Sequence, residues 1–286
     1  MQLNCIQDYK QLANFIAELN IQKHHHIGYC GENVKEIKQT LETDFSCEAF
    51  ILVMNEQEIV GAIGLDIDET DNSAEVWGPF IKINIGAEQV LEVMWQELLK
   101  KHDDIKNFSF FINEENVIGQ NFMQVLGANC TGNHQVLLLK KENFQVANLM
   151  NSTLFNNRYF EAFAELHNNV FPNTYYKADA IVNRLNAENE LIVLANDDYT
   201  IKGYVYIEVD YEHHEASIEY IAIAPQFQGQ GLGTELLKIA MNRIFTEHQI
   251  EEVQLCVDSN NSRAINLYIA AGFEVKYKLN SFFVGG

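Results

Sequence analysis

Three glycines in five positions, Gly229, Gly231 and Gly233, stand inside the run Pro225-Gln226-Phe227-Gln228-Gly229-Gln230-Gly231-Leu232-Gly233-Thr234. Glycine at this density lets a ligand approach backbone amides with no Cβ in the way. The flanking residues say which kind of ligand. Upstream, Ser217-Ile218-Glu219-Tyr220-Ile221-Ala222-Ile223 collects the β-branched and aromatic residues of a strand. Downstream, Leu236, Leu237, Ala240, Ile244 and Phe245 recur at spacings of three and four, as on one face of a helix. The glycines therefore join a strand to a helix N-terminus, where the first N–H groups have no partner inside the helix and the dipole is positive. The chemistry this predicts is the holding of a diphosphate on backbone N–H groups between Gln228 and Thr234.

Three kinds of diphosphate cradle compete for these residues. A P-loop requires Gly-Lys-Ser/Thr, and no lysine is present here. A dinucleotide fingerprint reads G-x-G-x-x-G, whereas the spacing here is Gly229-x-Gly231-x-Gly233, with no role for Pro225 or Gln228. Gln228-x-x-Gly231-x-Gly233, after a strand and a proline, instead resembles the acetyl-CoA-binding signature of the GNAT N-acetyltransferases. A second segment supports the resemblance: Asn261-Ser262-Arg263-Ala264-Ile265-Asn266-Leu267-Tyr268-Ile269-Ala270-Ala271-Gly272-Phe273 is similar to the family's N-x-x-A-x-x-L-Y-x-x-x-G-F. The two motifs occur in order, separated by the helix and by the apolar strand Val253 to Val257.

The resemblance implies a fold and a set of roles. The fold is α/β, with two GNAT-like domains, each a mixed, mostly antiparallel central sheet flanked by helices. The cofactor is acetyl-CoA, used as a cosubstrate, and no metal. Its diphosphate would lie on Gln228, Gly229, Gln230, Gly231, Leu232, Gly233 and Thr234, and its pantetheine along the backbone of Ile221, Ala222 and Ile223. One of those amides would polarise the thioester carbonyl. Tyr268 would protonate the leaving thiolate; a phenol with a reference pKa of about 10 suits that task. Ala264 lies in the same motif, and Asn261 either contacts the cofactor arm or caps the helix.

For the base that deprotonates the amine, Glu219 is the candidate, placed by period-two alternation on the same face as Ile221 and Ile223. The neighbouring His213, His214 and Glu215 are alternatives. Phe171-Pro172-Asn173-Thr174-Tyr175-Tyr176 is a candidate aromatic wall for the acceptor, or a packing surface. The activity so implied is transfer of an acetyl group to a primary amine of a small molecule or peptide by direct attack in a ternary complex. The alternative is a regulatory module that binds acetyl-CoA without turnover.

The elements that must position these residues read as follows. Helices are predicted over 7–20 and 33–44, strands over 49–54, 59–66 and 74–80, a helix over 86–101, a strand over 107–112, a helix over 116–126 and a strand over 134–140. The second half repeats this order: helices over 157–169 and 177–186, strands over 191–195, 201–209 and 216–223, a helix over 233–247, a strand over 253–257, a helix over 262–271 and a last strand or two over 274–284. Asn261, Ala264, Leu267 and Gly272 stand at relative positions 0, 3, 6 and 11, and Asn116, Gly119, Phe122 and Gly127 repeat those offsets. This points to a duplication, with domains at 1–143 and 144–286. Phe144 to Val146 is a candidate first strand for the second domain. In the first copy, Lys82 to Glu88 lacks the Gln-x-x-Gly-x-Gly signature, so the N-terminal copy is expected to be degenerate.

Composition narrows the function class. The formal net charge is −21, which argues against nucleic acid or an anionic membrane as partner and suits a cationic amine substrate. Five scattered cysteines with no C-x-x-C pair read as reduced thiols, so a cytoplasmic location is expected. No apolar run reaches the roughly 20 residues of a membrane span, and no leader is read at the start. His24-His25-His26 cannot all face one metal ion and has no fixed-spacing partner. The acceptor's identity and the oligomeric state have no sequence signal.

Overall fold

The computed structural model describes residues 2–82, 86–145, 152–172, 174–196 and 198–285. Contacts divide the chain into two compact units, Met1–Gln135 with Tyr277–Gly286, and Val136–Lys276. The consecutive domains expected to meet at 143/144 follow chain order. The compact units differ from them because residues from Tyr277 onward pair within the first unit.

In the first unit the elements are β1 (Gln2–Asn4), α1 (Tyr9–Asn20), α2 (Val34–Asp44), β2 (Phe50–Asn55), β3 (Glu58–Asp68), β4 (Ser73–Ile81), α3 (Ala87–Lys101), β5 (Asn107–Asn113) and α4 (Val117–Val125). Next comes β6 (Asn129–Lys140), which the unit boundary divides. The second unit holds β7 (Thr153–Leu154), α5 (Phe160–Val170), α6 (Ala178–Arg184), β8 (Asn189–Ala195), β9 (Ile201–Asp210), β10 (Glu215–Ile223), α7 (Leu232–Asn242), β11 (Glu252–Asp258) and α8 (Ser262–Ala270). The last strand, β12 (Glu274–Gly285), starts in the second unit, and its residues Leu279 to Gly285 pair antiparallel with Asn113 to Asn107 of β5 in the first.

Each unit carries the same sheet pattern. In the first, β1, β2, β3 and β4 run antiparallel in order, and β4 then pairs parallel with β5 through Ser73↔Asn107, Ala74↔Phe108 and Glu75↔Ser109 only. In the second, β7, β8, β9 and β10 run antiparallel, and β10 pairs parallel with β11 through Glu215↔Glu252, Ala216↔Val253 and Ser217↔Gln254 only. The parallel strands are seven and nine residues long in both copies, so each pair separates after its third rung. The expected mixed, mostly antiparallel sheet flanked by helices is therefore present.

The core of the second unit is layered by the two faces of its sheet. One layer packs Leu236, Leu237 and Ala240 of α7 and Tyr268 of α8 on Val205, Ile207 and Ile218. The other packs Phe163 of α5 and Ile181 of α6 on Tyr204, Tyr206 and Tyr220. At about 1.5–3 kcal/mol for full burial of a large apolar side chain, these two layers hold the sheet between its flanking helices.

Several boundaries differ from expectation for local reasons. The helix predicted over 157–169 opens with a 3-10 turn, Asn157–Tyr159, and becomes α-helical at Phe160. The helix predicted over 233–247 ends as α at Asn242 and continues as a single π turn, Arg243–Glu247. The first strand of the second copy is Thr153–Leu154. Phe144 instead follows a 3-10 turn and packs its ring 5.3 Å from that of Phe245, while Val146 lies outside the described residues. In the histidine triplet, His26 is buried with Nδ1 2.7 Å from the Asn20 carbonyl, and it stacks on Tyr277. Among the described residues no group of three or more His, Cys, Asp or Glu side chains is set to hold a metal ion, and no helix is long and apolar enough to cross a membrane.

Candidate active site

The site grows out of the separation of β10 from β11. Beyond Ser217 the β11-facing backbone groups of β10 have no strand partner. Ala224 donates its N–H to Lys202 O on the β9 side. Backbone groups alternate direction along a strand, so Ile221 and Ile223 direct theirs into the gap and Ala222 directs its own toward β9. The Ile223 carbonyl accepts from Gln228 Nε2 at 3.0 Å, as that direction requires. A cavity of about 800 Å³ fills the gap. Its lining includes Glu219, Ile221, Ala222 and Ile223 of β10, Cys256 of β11, the glycine loop, and Asn261, Ala264 and Tyr268 of the α8 segment.

The loop at one mouth of the cavity is built for an anion. Gly229 and Gly231 have φ of +77° and +78°, a region closed to most side chains, and a Cβ on either would meet nothing within 4 Å. They are glycine for backbone conformation, with open space in front. Gly231 is the N-cap of α7 and no side chain caps this helix end, so its first amides keep their hydrogen-bonding capacity. Gln228 braces the loop: besides its bond to Ile223, its Oε1 accepts from Arg263 Nη1 at 2.7 Å. Arg263 thus brings a cation to the cavity lining beside the loop. It stands inside the second motif at a position the motif leaves open, so no spacing marks it as a ligand group. A diphosphate fits this donor set of amides, dipole and guanidinium.

Tyr268 is 6% exposed, its ring 5.8 Å from that of Phe273, and its hydroxyl takes no hydrogen bond among the described residues while the residue lines the cavity. Burial pushes its phenol up to about 12. Asn261 Oδ1 accepts from Ala264 N at 3.1 Å, so the capping role is present, and the residue also lines the cavity.

Glu219 stands where β10 carries a β-bulge. Ile218 pairs with Ile207 and Tyr220 pairs with Tyr206, leaving Glu219 as the extra residue. The bulge reverses the alternation. Ile218 packs in the α7 layer, Tyr220 in the α5–α6 layer, and Ile221 and Ile223 against the α7 layer again. Glu219 lies with Ser217, Glu208 and Arg184, on the face away from the Ile221 and Ile223 side chains. The same-face placement from simple alternation is thus corrected, because one inserted residue shifts every later side chain to the other face.

Glu219 is open to solvent through the cavity yet closely ringed by protein. This desolvation holds its carboxyl above the ordinary value, with Glu208 adding to the shift, while the Ser217 hydrogen bond and Arg184 oppose it. Tyr268 and Glu219 therefore approach one gap from the two faces of the sheet.

The face that carries Glu219 is acidic and aromatic. Glu208 Oε1 accepts from Tyr206 Oη at 2.8 Å and Arg184 Nη2 at 3.1 Å. The Arg184 guanidinium lies 4.5 Å over the Tyr176 ring. Cys256 lines the cavity nearby, its thiol pushed up to about 11 by burial and by Glu219. Of the expected aromatic wall, Phe171 lines the cavity, Tyr175 is solvent-exposed, Tyr176 carries Arg184, and Asn173 lies outside the described residues. Of the alternative bases, His213 Nδ1 is tied to Asp210 at 2.7 Å in the turn before β10, and none of His213, His214 and Glu215 lines the cavity.

Residues 157–273 match the family model described as the acetyltransferase (GNAT) family. Over 129 residues the chain is 31% identical to a spermidine N(1)-acetyltransferase of Escherichia coli K12, a match covering 44% of this chain and 63% of that protein. A spermidine N(1)-acetyltransferase of Vibrio cholerae is 32% identical over 102 residues, 35% of this chain and 58% of that protein. The chain thus spans less than two thirds of the length of these curated relatives. A GCN5-related N-acetyltransferase from Sphaerobacter thermophilus shares the fold with a TM-score of 0.77 at 14% identity, over 99% of this chain and 95% of that one. The glycine loop, the separated strands and Tyr268 all fall within the segment that matches the GNAT acetyltransferase family.

Proposed function

We propose that the second unit is an acetyl-CoA-dependent N-acetyltransferase acting on a positively charged amine. One observation carries the reading: a single cavity brings together an uncapped, glycine-lined helix N-terminus, unpaired strand amides, a buried phenol and a carboxylate. Acetyl-CoA, when bound, supplies the activated acetyl group as a thioester.

The chain's own residues divide the work. The amides of the loop from Gln228 to Thr234 hold the diphosphate, and Arg263 adds charge beside them. The Ile221 backbone and the Ile223 N–H, without strand partners toward the gap, pair with the pantetheine arm, and an N–H there polarises the thioester carbonyl. Glu219 takes the amine proton, directly or through water, as the N–C bond forms. Tyr268 gives its proton to sulfur as the C–S bond breaks, and recovers one from solvent. A phenol raised to about 12 remains protonated throughout the neutral range and so is ready to donate. A thiol at about 11 is a poor nucleophile at neutral pH, which favours direct transfer to the amine over an acyl group carried on Cys256.

The acceptor is a cation by the chemistry of the face that meets it: Glu219, Glu208 and the tyrosine rings favour an ammonium. The named activity of the curated relatives makes polyamines the first acceptors to try. The test is CoA release with spermidine, spermine, shorter diamines, monoamines and amino-terminal peptides. The reading predicts acetyl-CoA-dependent acetylation of at least one cationic amine. Tight acetyl-CoA binding with no CoA release from any acceptor would overturn it.

A further inference from the structure

Phe171, which follows α5, lines the cavity, and a buried histidine ties down the loop that runs from it to α6. His167 of α5 is fully buried. Its Nε2 lies 2.8 Å from the Tyr176 carbonyl and its Nδ1 2.6 Å from Tyr204 Oη. A carbonyl only accepts, so Nε2 carries the proton and Nδ1 accepts from the Tyr204 hydroxyl, the single tautomer that satisfies both partners.

A second tie runs beside it. Tyr220 Oη lies 2.6 Å from Thr174 Oγ1 and accepts from Tyr176 N at 3.3 Å. The rings interlock as well: His167 sits 4.9 Å from Tyr220 and 5.5 Å from Phe171, and Phe171 sits 5.2 Å from Tyr220. Tyr204 and Tyr220 belong to the adjacent strands β9 and β10, while Phe171 lines the cavity and Tyr176 lies near Glu208, Arg184 and Glu219. Burial, with Lys177 beside it, holds the imidazole below its ordinary value against the opposing Tyr176 hydrogen bond, so the neutral form that this geometry needs prevails at neutral pH.

We propose that His167 is a positioning residue for the acceptor: it fixes Phe171 at the cavity and Tyr176 beside Glu208 and Arg184 by bonding the loop carbonyl to the sheet, without touching either substrate. This rests on the acetyltransferase reading for its kinetic consequence, though not for its structural one. A buried network with every member satisfied is rigid, and one missing member leaves a desolvated polar group that loosens the rest. An acceptor wall loosened in this way weakens acceptor binding, while the diphosphate loop on the other side of the gap is left as it was.

The test compares wild type with His167→Phe, His167→Gln and Tyr204→Phe, reading amide hydrogen exchange, acetyl-CoA affinity by calorimetry, and steady-state kinetics. For His167→Phe the expected result is exchange at residues 174–177 faster by about tenfold or more. Acceptor KM should rise about tenfold with kcat within a few-fold, and acetyl-CoA affinity should stay unchanged. His167→Gln, which can still donate to the Tyr176 carbonyl, should recover most of the acceptor KM. Should His167→Phe not fold, Tyr204→Phe carries the same prediction with a smaller effect.

Unchanged exchange and KM would overturn the proposal, and so would equal losses of acceptor and acetyl-CoA binding, which mark a merely structural residue. If the wild-type chain acetylates no amine, the acetyltransferase reading fails by itself, and the exchange data still decide whether His167 clamps the loop.

Discussion

Tyr268 and Glu219 differ in how readily the sequence disclosed them. Tyr268 is fixed by a motif whose spacing is that of one helix, so N-cap Asn261 and the turn glycine Gly272, with φ of +99°, place it without further information. Glu219 was placed on the wrong face because a β-bulge leaves no mark in an apolar alternation. Arg263, Glu208 and Cys256 were not singled out, since their roles come from neighbours distant in sequence.

Two predictions belong at this scale. Tyr268→Phe should lower kcat by roughly 10²-fold, the lower range for a general acid, and leave the acetyl-CoA dissociation constant within about twofold; an unchanged kcat in single-turnover kinetics would remove the phenol from the mechanism. As the proposed base Glu219 acts in its carboxylate form, and its pKa is raised. Wild-type kcat/KM should therefore fall as pH drops through a value above the ordinary carboxylate range of about 4.5, and Glu219→Gln should lose both rate and that acid limb.

At the scale of elements, helix order and strand order were legible because apolar spacing distinguishes them, whereas the separation of the parallel strand pairs leaves no mark in that spacing. The two units fill matching positions with different residues. Counting on from the parallel rungs and the helix starts places Trp77 at the position of Glu219, Pro79 at that of Ile221, Glu88 at that of Gly233 and Met123 at that of Tyr268, although Trp77 pairs with Gly64 whereas Glu219 is the extra residue of a bulge. Proline has no N–H to offer a thioester. Glu88, in the first turn of α3, puts negative charge where a diphosphate would sit, although Gly86 keeps the left-handed N-cap and lacks a side-chain cap, as Gly231 does.

Gly233→Glu should therefore weaken the second unit's hold on a diphosphate. Acetyl-CoA affinity should fall at least about tenfold while the melting temperature is kept, since an acidic residue in a first helical turn is favourable. Gly229→Ala should cost about 1–2 kcal/mol in denaturant unfolding, the penalty of a left-handed residue with a side chain, because nothing nearby clashes with the added Cβ.

For the whole molecule, the repeat was legible in the shared offsets of Asn116, Gly119 and Gly127 with Asn261, Ala264 and Gly272, and both asparagines cap their helices in the same way. The assignment of the last strand to the first unit was not legible, because β12 is a plain strand whose residues do not say which edge they join. With the four replacements just described, we propose that the first unit is a degenerate copy that binds no acetyl-CoA, so calorimetry should give one acetyl-CoA per chain. The central claim is that acetyl-CoA is held by the amides at the start of α7 and the open backbone of β10. Amide hydrogen exchange of the full chain with and without acetyl-CoA tests it directly. The account predicts protection at residues 221–223 and 229–234 and none at 86–92; absence of protection in the first two stretches, or its appearance at the start of α3, would contradict it.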